Sequence, residues 1–89
     1  MSVSSKPLEK SEINVVGLKV DEAVELTDKF LDDAFLAQMN PIRIVHGMGT
    51  GTLRQAISEL LSGHPHVSRF ESAPHSEGGR GVTIVTLRE

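Results

Sequence analysis

The chain has 89 residues, enough for one small domain that buries only about 60 to 65% of the surface its unfolded form exposes. It contains no cysteine, which excludes a disulfide framework and thiolate metal sites, and no apolar run long enough for a signal peptide or membrane span, so a cytoplasmic protein with no membrane partner is expected. A formal net charge of -3 argues against gripping nucleic acid by bulk positive charge, and aromatic residues limited to Phe30, Phe35 and Phe70 argue against base stacking.

Residues 1–11 are polar and aperiodic and read as a flexible leader or linker, leaving residues 12–89 as the domain. Ile13-Asn14-Val15-Val16, stopped by Gly17, fits a short buried strand. Ala23, Val24, Thr27, Phe30, Leu31, Ala34 and Phe35 then recur at helical spacing, with Glu25 and Lys29 placed for an i,i+4 pair outside. Two starts are open for this helix. Asp21 is chemically the better cap and is the expectation, whereas a cap at Lys19 would place Glu22 at the capping-box position. Pro41 sets its end near Met39 and Asn40.

A second strand, Ile42 to His46, follows at once. Leu53, Ala56, Ile57, Leu60 and Leu61 fall at i, i+3, i+4, i+7 and i+8 of a second helix closed by Gly63 and Pro65. Val67 to Ser72 is a third strand with Phe70 inward. After a glycine-rich turn from Ala73 to Arg80, Gly81 to Leu87 alternates too little for a strand with one wet face, which suggests a central position. The order β-α-β-α-β-β implies right-handed crossovers among the first three strands and a closing hairpin. The expected class is α+β, a two-layer α/β sandwich with a mixed four-stranded sheet and two helices.

Charge is uneven along the chain. Asp21, Glu22, Glu25, Asp28, Asp32 and Asp33 crowd the first helix, while Arg43, Arg54, Arg69, Arg80 and Arg88 all lie later, so a phosphate-facing side belongs to the second part. There, His46-Gly47-Met48-Gly49-Thr50-Gly51 joins a strand to a helix start. Glycines let a backbone approach closely, and a helix N-terminus offers unpaired N–H groups with partial positive charge, which is the chemistry of an anion cradle. No lysine follows Gly51, which excludes a P-loop, and Thr52 stands where a dinucleotide fingerprint needs its third glycine.

Ile13-Asn14-Val15-Val16-Gly17-Leu18 before Val20-Asp21-Glu22-Ala23, then His46 to Gly51, Leu53-Arg54, and Glu77-Gly78-Gly79-Arg80-Gly81 before a closing strand, together resemble the Smr (small MutS-related) domain. Within it, the chain looks most like the C-terminal Smr domain of the second bacterial MutS family. The resemblance implies a fold like the C-terminal domain of translation initiation factor three. It also implies nicking endonuclease activity on branched or structured DNA, within a larger MutS-related chain linked to DNA repair and suppression of recombination. RNA or the ribosome is the other partner class it brings, and a non-catalytic nucleic-acid or ribosome-binding module on the same fold is the alternative.

Carried over residue by residue, the His-Gly-x-Gly-x-Gly signature is intact at His46 to Gly51. The family's first strand places an acid where Asn14 stands and a histidine or arginine where Val16 stands, a departure that weakens the enzyme reading. Cleavage needs an activated nucleophile and charge stabilisation at phosphorus. His46 is the candidate for the first, as general base or acid. Gly47, Met48, Gly49, Thr50 and Gly51 with Arg54, Arg80 and Asn14 are candidates for holding phosphate. No cofactor is specified, and a divalent metal, Mg or Mn, stays open.

Plainer readings stand beside these. His46 can simply end a strand, the glycines can serve only a tight turn, and Arg80 can be a solvated hairpin residue. Arg54 sits against the helix dipole, which favours an anionic partner. His64, His66 and His75 lack a zinc pattern and read as surface histidines, and Asp28, Asp32 and Asp33 as a solvated face.

Overall fold

A computed structural model describes residues 11–89 of the chain, so the leader expected at 1–11 lies, Ser11 apart, outside the described residues. The elements are β1 (Glu12–Asn14), α1 (Val20–Leu36), β2 (Ile42–Val45), α2 (Thr52–Gly63), β3 (Val67–Ser72) and β4 (Val82–Leu87), with 3₁₀ turns at His75–Glu77 and Gly79–Gly81 before β4. They form one mixed four-stranded sheet in the order β1-β2-β4-β3, with β1 parallel to β2 and β4 antiparallel to both β2 and β3. The expected α+β two-layer sandwich is therefore the architecture, with β4 central as its burial pattern suggested.

Alternation along the strands sends Ile13, Ile42, Ile44, Val67, Phe70, Val85 and Leu87 into a core shared with Ala23, Leu31 and Ala34 of α1 and Ile57 and Leu61 of α2. Leu31, Ile42, Ile44, Ile57, Leu61 and Val85 are fully buried, each contributing about 1.5–3 kcal/mol relative to exposure. One polar atom interrupts this core: the hydroxyl of Thr27, buried on α1, has no hydrogen-bond partner among the described residues.

On the opposite sheet face, register aligns Glu12, Arg43, Ile84 and Glu71 in a row. Arg43 donates from Nε to Glu12 Oε1 at 3.2 Å, and from its two terminal nitrogens to Glu77 Oε1 at 3.1 Å and Glu77 O at 2.7 Å. The guanidinium thus ties the 3₁₀ segment onto this face.

Three expected boundaries shift for local reasons. β1 ends at Asn14 rather than Val16, because Asn14 Oδ1 accepts the Val16 N–H at 2.9 Å and turns the chain out of the ladder. The cap of α1 is Lys19 rather than Asp21: Glu22 Oε1 reaches back to the Lys19 N–H at 3.3 Å, while Asp21 Oδ1 accepts the N–H of its neighbour Glu22 at 3.0 Å. The helix stops at Leu36, before Met39, because Gln38 takes a left-handed φ of 60°. Met39 N–H then bonds Ala34 O at 2.9 Å and Gln38 N–H bonds Phe35 O at 3.2 Å, a Schellman closure built on a non-glycine residue. On the outer face of α1, Lys29 pairs with Asp33 at 3.0 Å instead of with Glu25.

Beyond the helix, Asn40 acts as a short stand-in strand. Its amide accepts Leu87 N–H at 2.9 Å and donates to Leu87 O at 3.0 Å, fixing the start of β2 against the end of β4.

Candidate nucleic-acid interface

β2 ends at Val45, one residue short of the expected His46, and the chain then turns sharply into α2. The turn is anchored from below. Gly81 O, at the entrance to β4, accepts both His46 N–H and Gly47 N–H at 3.0 Å. Gly47 has φ 79°, a left-handed conformation that favours glycine, and a Cβ there would meet Val16 Cγ2 at 3.4 Å. Gly51 caps α2 at φ 88° without a side-chain cap bond. The nearest substitute is Thr50 Oγ1, 3.4 Å from Thr52 N–H and 2.8 Å from Thr52 Oγ1.

The consequence is a run of unpartnered donors at the turn. Gly51 N–H bonds Met48 O at 3.1 Å and Gln55 N–H opens the helix ladder at Gly51 O, but the N–H groups of Gly49, Thr50, Leu53 and Arg54 have no partner among the described residues. They border a cavity of about 290 Å³ lined by Val16, Gly17, the whole turn from His46 to Gly51, and Thr52, Leu53 and Arg54. No acid stands in the first turn of α2, and Arg54, half-buried there, makes no ion pair among the described residues. The pattern of donors, dipole and one cation suits a tetrahedral anion.

Sequence reasoning grouped His46, Gly47, Met48, Gly49, Thr50, Gly51, Arg54, Arg80 and Asn14. The structure brings His46 through Gly51 and Arg54 to one cavity. Arg80 does not line it; it is exposed on the second 3₁₀ turn, next to Gly81, whose carbonyl accepts the His46 and Gly47 N–H groups. Asn14 does not line it either, its oxygen being used by Val16 N–H. Val16 lies where the polar first-strand group was missed: it is 54% exposed and forms an apolar wall of the cavity.

His46 departs furthest from expectation. In place of an open general base, the structure has a ring that is 3% exposed with both nitrogens engaged. Nδ1 lies 3.0 Å from Gly47 O, an acceptor only, so Nδ1 carries the proton and Nε2 accepts from Thr83 Oγ1 at 2.8 Å. The imidazole therefore pins the turn to β4. Sequence reasoning did not find Thr83 or the Gly81 carbonyl, because only the β2 to β4 register, Ile44 opposite Thr83, places them there.

No group of three or more His, Asp or Glu residues among those described is arranged to hold a metal. The nearest approach is elsewhere, and it corrects the reading of His64 and His66 as surface histidines. His64 is buried; its Nδ1 accepts His66 N–H at 3.1 Å, leaving Nε2–H to donate to Asp28 Oδ1 at 2.9 Å. His66 stacks on Phe35 with centroids 3.8 Å apart. Asp28 and Asp32 thus bind α1 to the turn after α2 rather than forming a purely solvated face. A larger hollow of about 570 Å³ at the Leu87 end of β4, bordered by Phe35, Met39 and Asn40, contains no comparable row of donors.

The Smr domain family profile matches residues 13–88. The chain is 43% identical over 79 residues to the endonuclease MutS2 of Clostridium botulinum (strain 657), and 46% identical over the same length to that of Clostridium beijerinckii; each match covers 89% of this chain and 10% of the relative. The endonuclease MutS2 of Lachnospira eligens is 47% identical over 78 residues, covering 88% of this chain and again 10% of the relative. The chain thus spans about a tenth of the length of the curated relatives it matches. Among solved structures, the Smr domain of Thermus thermophilus MutS2 superposes with a TM-score of 0.86 at 45% identity, covering 88% of this chain and 98% of that one. YdaL, a stand-alone small MutS-related protein of Escherichia coli, shares the fold with a TM-score of 0.85 at 22% identity, over 91% of this chain and 66% of that one. The chain belongs to the Smr domain family and is similar to the Smr domains of bacterial MutS2 proteins.

Proposed function

We propose that this domain is the nucleic-acid-docking module of a longer MutS2-type protein acting on cytoplasmic DNA, and that it holds a backbone phosphate at the turn between β2 and α2. The observation that carries this reading is the row of unpartnered N–H groups at Gly49, Thr50, Leu53 and Arg54 around a cavity with one cation and no carboxylate. Arg54 neutralises the bound phosphate, and Arg80, exposed beside the anchoring Gly81, meets a neighbouring phosphate of the same strand. Backbone and shape, rather than base edges, are what such a surface reads, which suits branched or structured DNA and leaves structured RNA as the competitor.

A second reading, nicking of the DNA strand, is favoured by the endonuclease name of the MutS2 relatives. In that reading His46 acts from behind the phosphate, and its imidazole must release Thr83 before Nε2 takes a proton. The two readings separate in one experiment. Fluorescence anisotropy with duplex, four-way-branched and RNA probes over a salt series is run beside a supercoiled-plasmid nicking assay with and without Mg or Mn. Binding by the turn predicts weaker affinity for Arg54→Ala and Arg80→Ala, each lowering the salt slope by about 1. Unchanged salt slopes in both variants would sink the docking site, whereas metal-dependent nicking lost in His46→Ala would establish the enzyme.

A further inference from the structure

β3 forms one edge of the sheet, with β4 on its inner side and no strand on its outer side among the described residues. Ala73 N–H donates to Val82 O at 2.9 Å, and the register pairs Glu71 with Ile84 and Arg69 with Thr86. Because antiparallel ladder bonds alternate, Arg69 and Glu71 direct their backbone groups to β4, while Phe70 and Ser72 direct theirs to the free side. Alternation also puts the side chains of Arg69 and Glu71 on the sheet face away from the helices and Phe70 on the helix face, half-buried against the core. Both charged side chains are exposed, and neither makes an ion pair among the described residues.

The residue order on this edge is Ser68-Arg69-Phe70-Glu71-Ser72, which reverses about Phe70 into itself with charge exchanged for its complement. Edge strands that must stay single are commonly blocked by a proline, a like-charged row or an inward charge. Here the two edge charges are of opposite sign rather than a like-charged row, and the irregularity between Val67 and Arg69 sits at one end. We propose that β3 is a self-recognition edge, to which a second copy of this chain adds its own β3, antiparallel, about a two-fold axis through Phe70.

That operator is isologous and closes at two copies. Phe70 exchanges both backbone bonds with its counterpart, Arg69 faces the second copy's Glu71, and Glu71 faces the second copy's Arg69. The two phenylalanine rings, carried on the same side, extend the core across the seam. Register is specified by charge. A slip of two residues in one direction sets Arg69 opposite Arg69, a slip in the other sets Glu71 opposite Glu71, and parallel addition in register places like charges side by side. A continuous eight-stranded sheet would carry both β2–α2 turns, one on each half, so that two phosphate-docking sites share one rigid body.

The test is sedimentation equilibrium of the full chain, as wild type, Arg69→Glu, Glu71→Arg and the double exchange, from micromolar concentrations to about 1 mM. Each single reversal turns two attractive cross-strand pairs into two repulsive ones and should raise the dimer dissociation constant by about tenfold or more, while the double exchange should return to within about threefold of wild type. Hydrogen exchange supplies a second readout. The amides of Phe70 and Ser72 should gain protection as concentration rises, whereas those of Arg69 and Glu71, already bonded to β4, should not. A monomer throughout that range would overturn the proposal. So would a double variant as weak as the singles, an outcome that assigns the edge to a different partner.

Discussion

Thr83→Val tests the role assigned to His46 without touching the histidine. The substitution keeps the volume and β-branching of a residue that is 4% exposed in the central strand, and removes only the hydroxyl that donates to His46 Nε2 at 2.8 Å. The ring nitrogen is then left buried without a donor, since Nδ1 is held by Gly47 O and the residue is 3% exposed. An unsatisfied buried acceptor costs about 1–3 kcal/mol. For a domain of this size, total stability is roughly 4 to 13 kcal/mol, and each kcal/mol lowers Tm by about 4–8 °C. Urea denaturation should therefore show a loss of about 1–3 kcal/mol at unchanged m-value, and thermal unfolding a drop of roughly 5–20 °C. Affinity for a branched duplex, corrected for folded fraction, should fall less than tenfold, because Thr83 lies behind the cradle. His46→Ala, which also leaves a cavity, should cost more than Thr83→Val, and the two should be strongly non-additive in the double variant. Equal stability of Thr83→Val and wild type would refute the claim that His46 pins the turn to β4.

Gly78→Ala should destabilise by about 1–3 kcal/mol in the same denaturation assay, because φ is 116° there and an added Cβ would collide with Val82 Cγ2. Thr27→Val should do the opposite, raising stability by about 1 kcal/mol by removing a buried hydroxyl that has no partner among the described residues; a loss of stability would show that the hydroxyl is bonded after all. Arg43→Ala should cost less than about 1 kcal/mol, since its pairs with Glu12 and Glu77 are largely exposed, yet proteolysis should cut the 3₁₀ segment sooner than in wild type.

How far the sequence determined these features depends on the range of the interaction that creates them. The helix α2 was legible because Leu53, Ile57, Leu60 and Leu61 repeat within a single element, and the central place of β4 followed from apolar residues on both faces of one strand. The turn at Gly47 to Gly51 was legible because glycine at positive φ is a local requirement. Boundaries were less so. Asn14, Glu22 and Gln38 each redirect the chain through one side chain or one dihedral angle that competes with an equally plausible neighbour. The setting of His46 was illegible for a different reason: its partners Thr83 and Gly81 are far along the chain, and only strand register makes them neighbours. The same holds for His64, whose partner Asp28 comes from α1. Local chemistry thus marked the glycine turn, and long-range pairing set the partners of His46.

The insertion of β4 between β2 and β3 has a consequence for how the domain is made. During synthesis, β1, α1, β2, α2 and β3 all leave the ribosome before the strand that joins their two halves, and β2 and β3 have no hydrogen bonds to each other to exchange in the meantime. The His46 and Gly47 amides likewise wait for Gly81 O. Cooperative folding is thereby deferred until Leu87 has emerged, and a nascent chain stalled at Ser72 should remain sensitive to protease although more than two thirds of the fold has been translated.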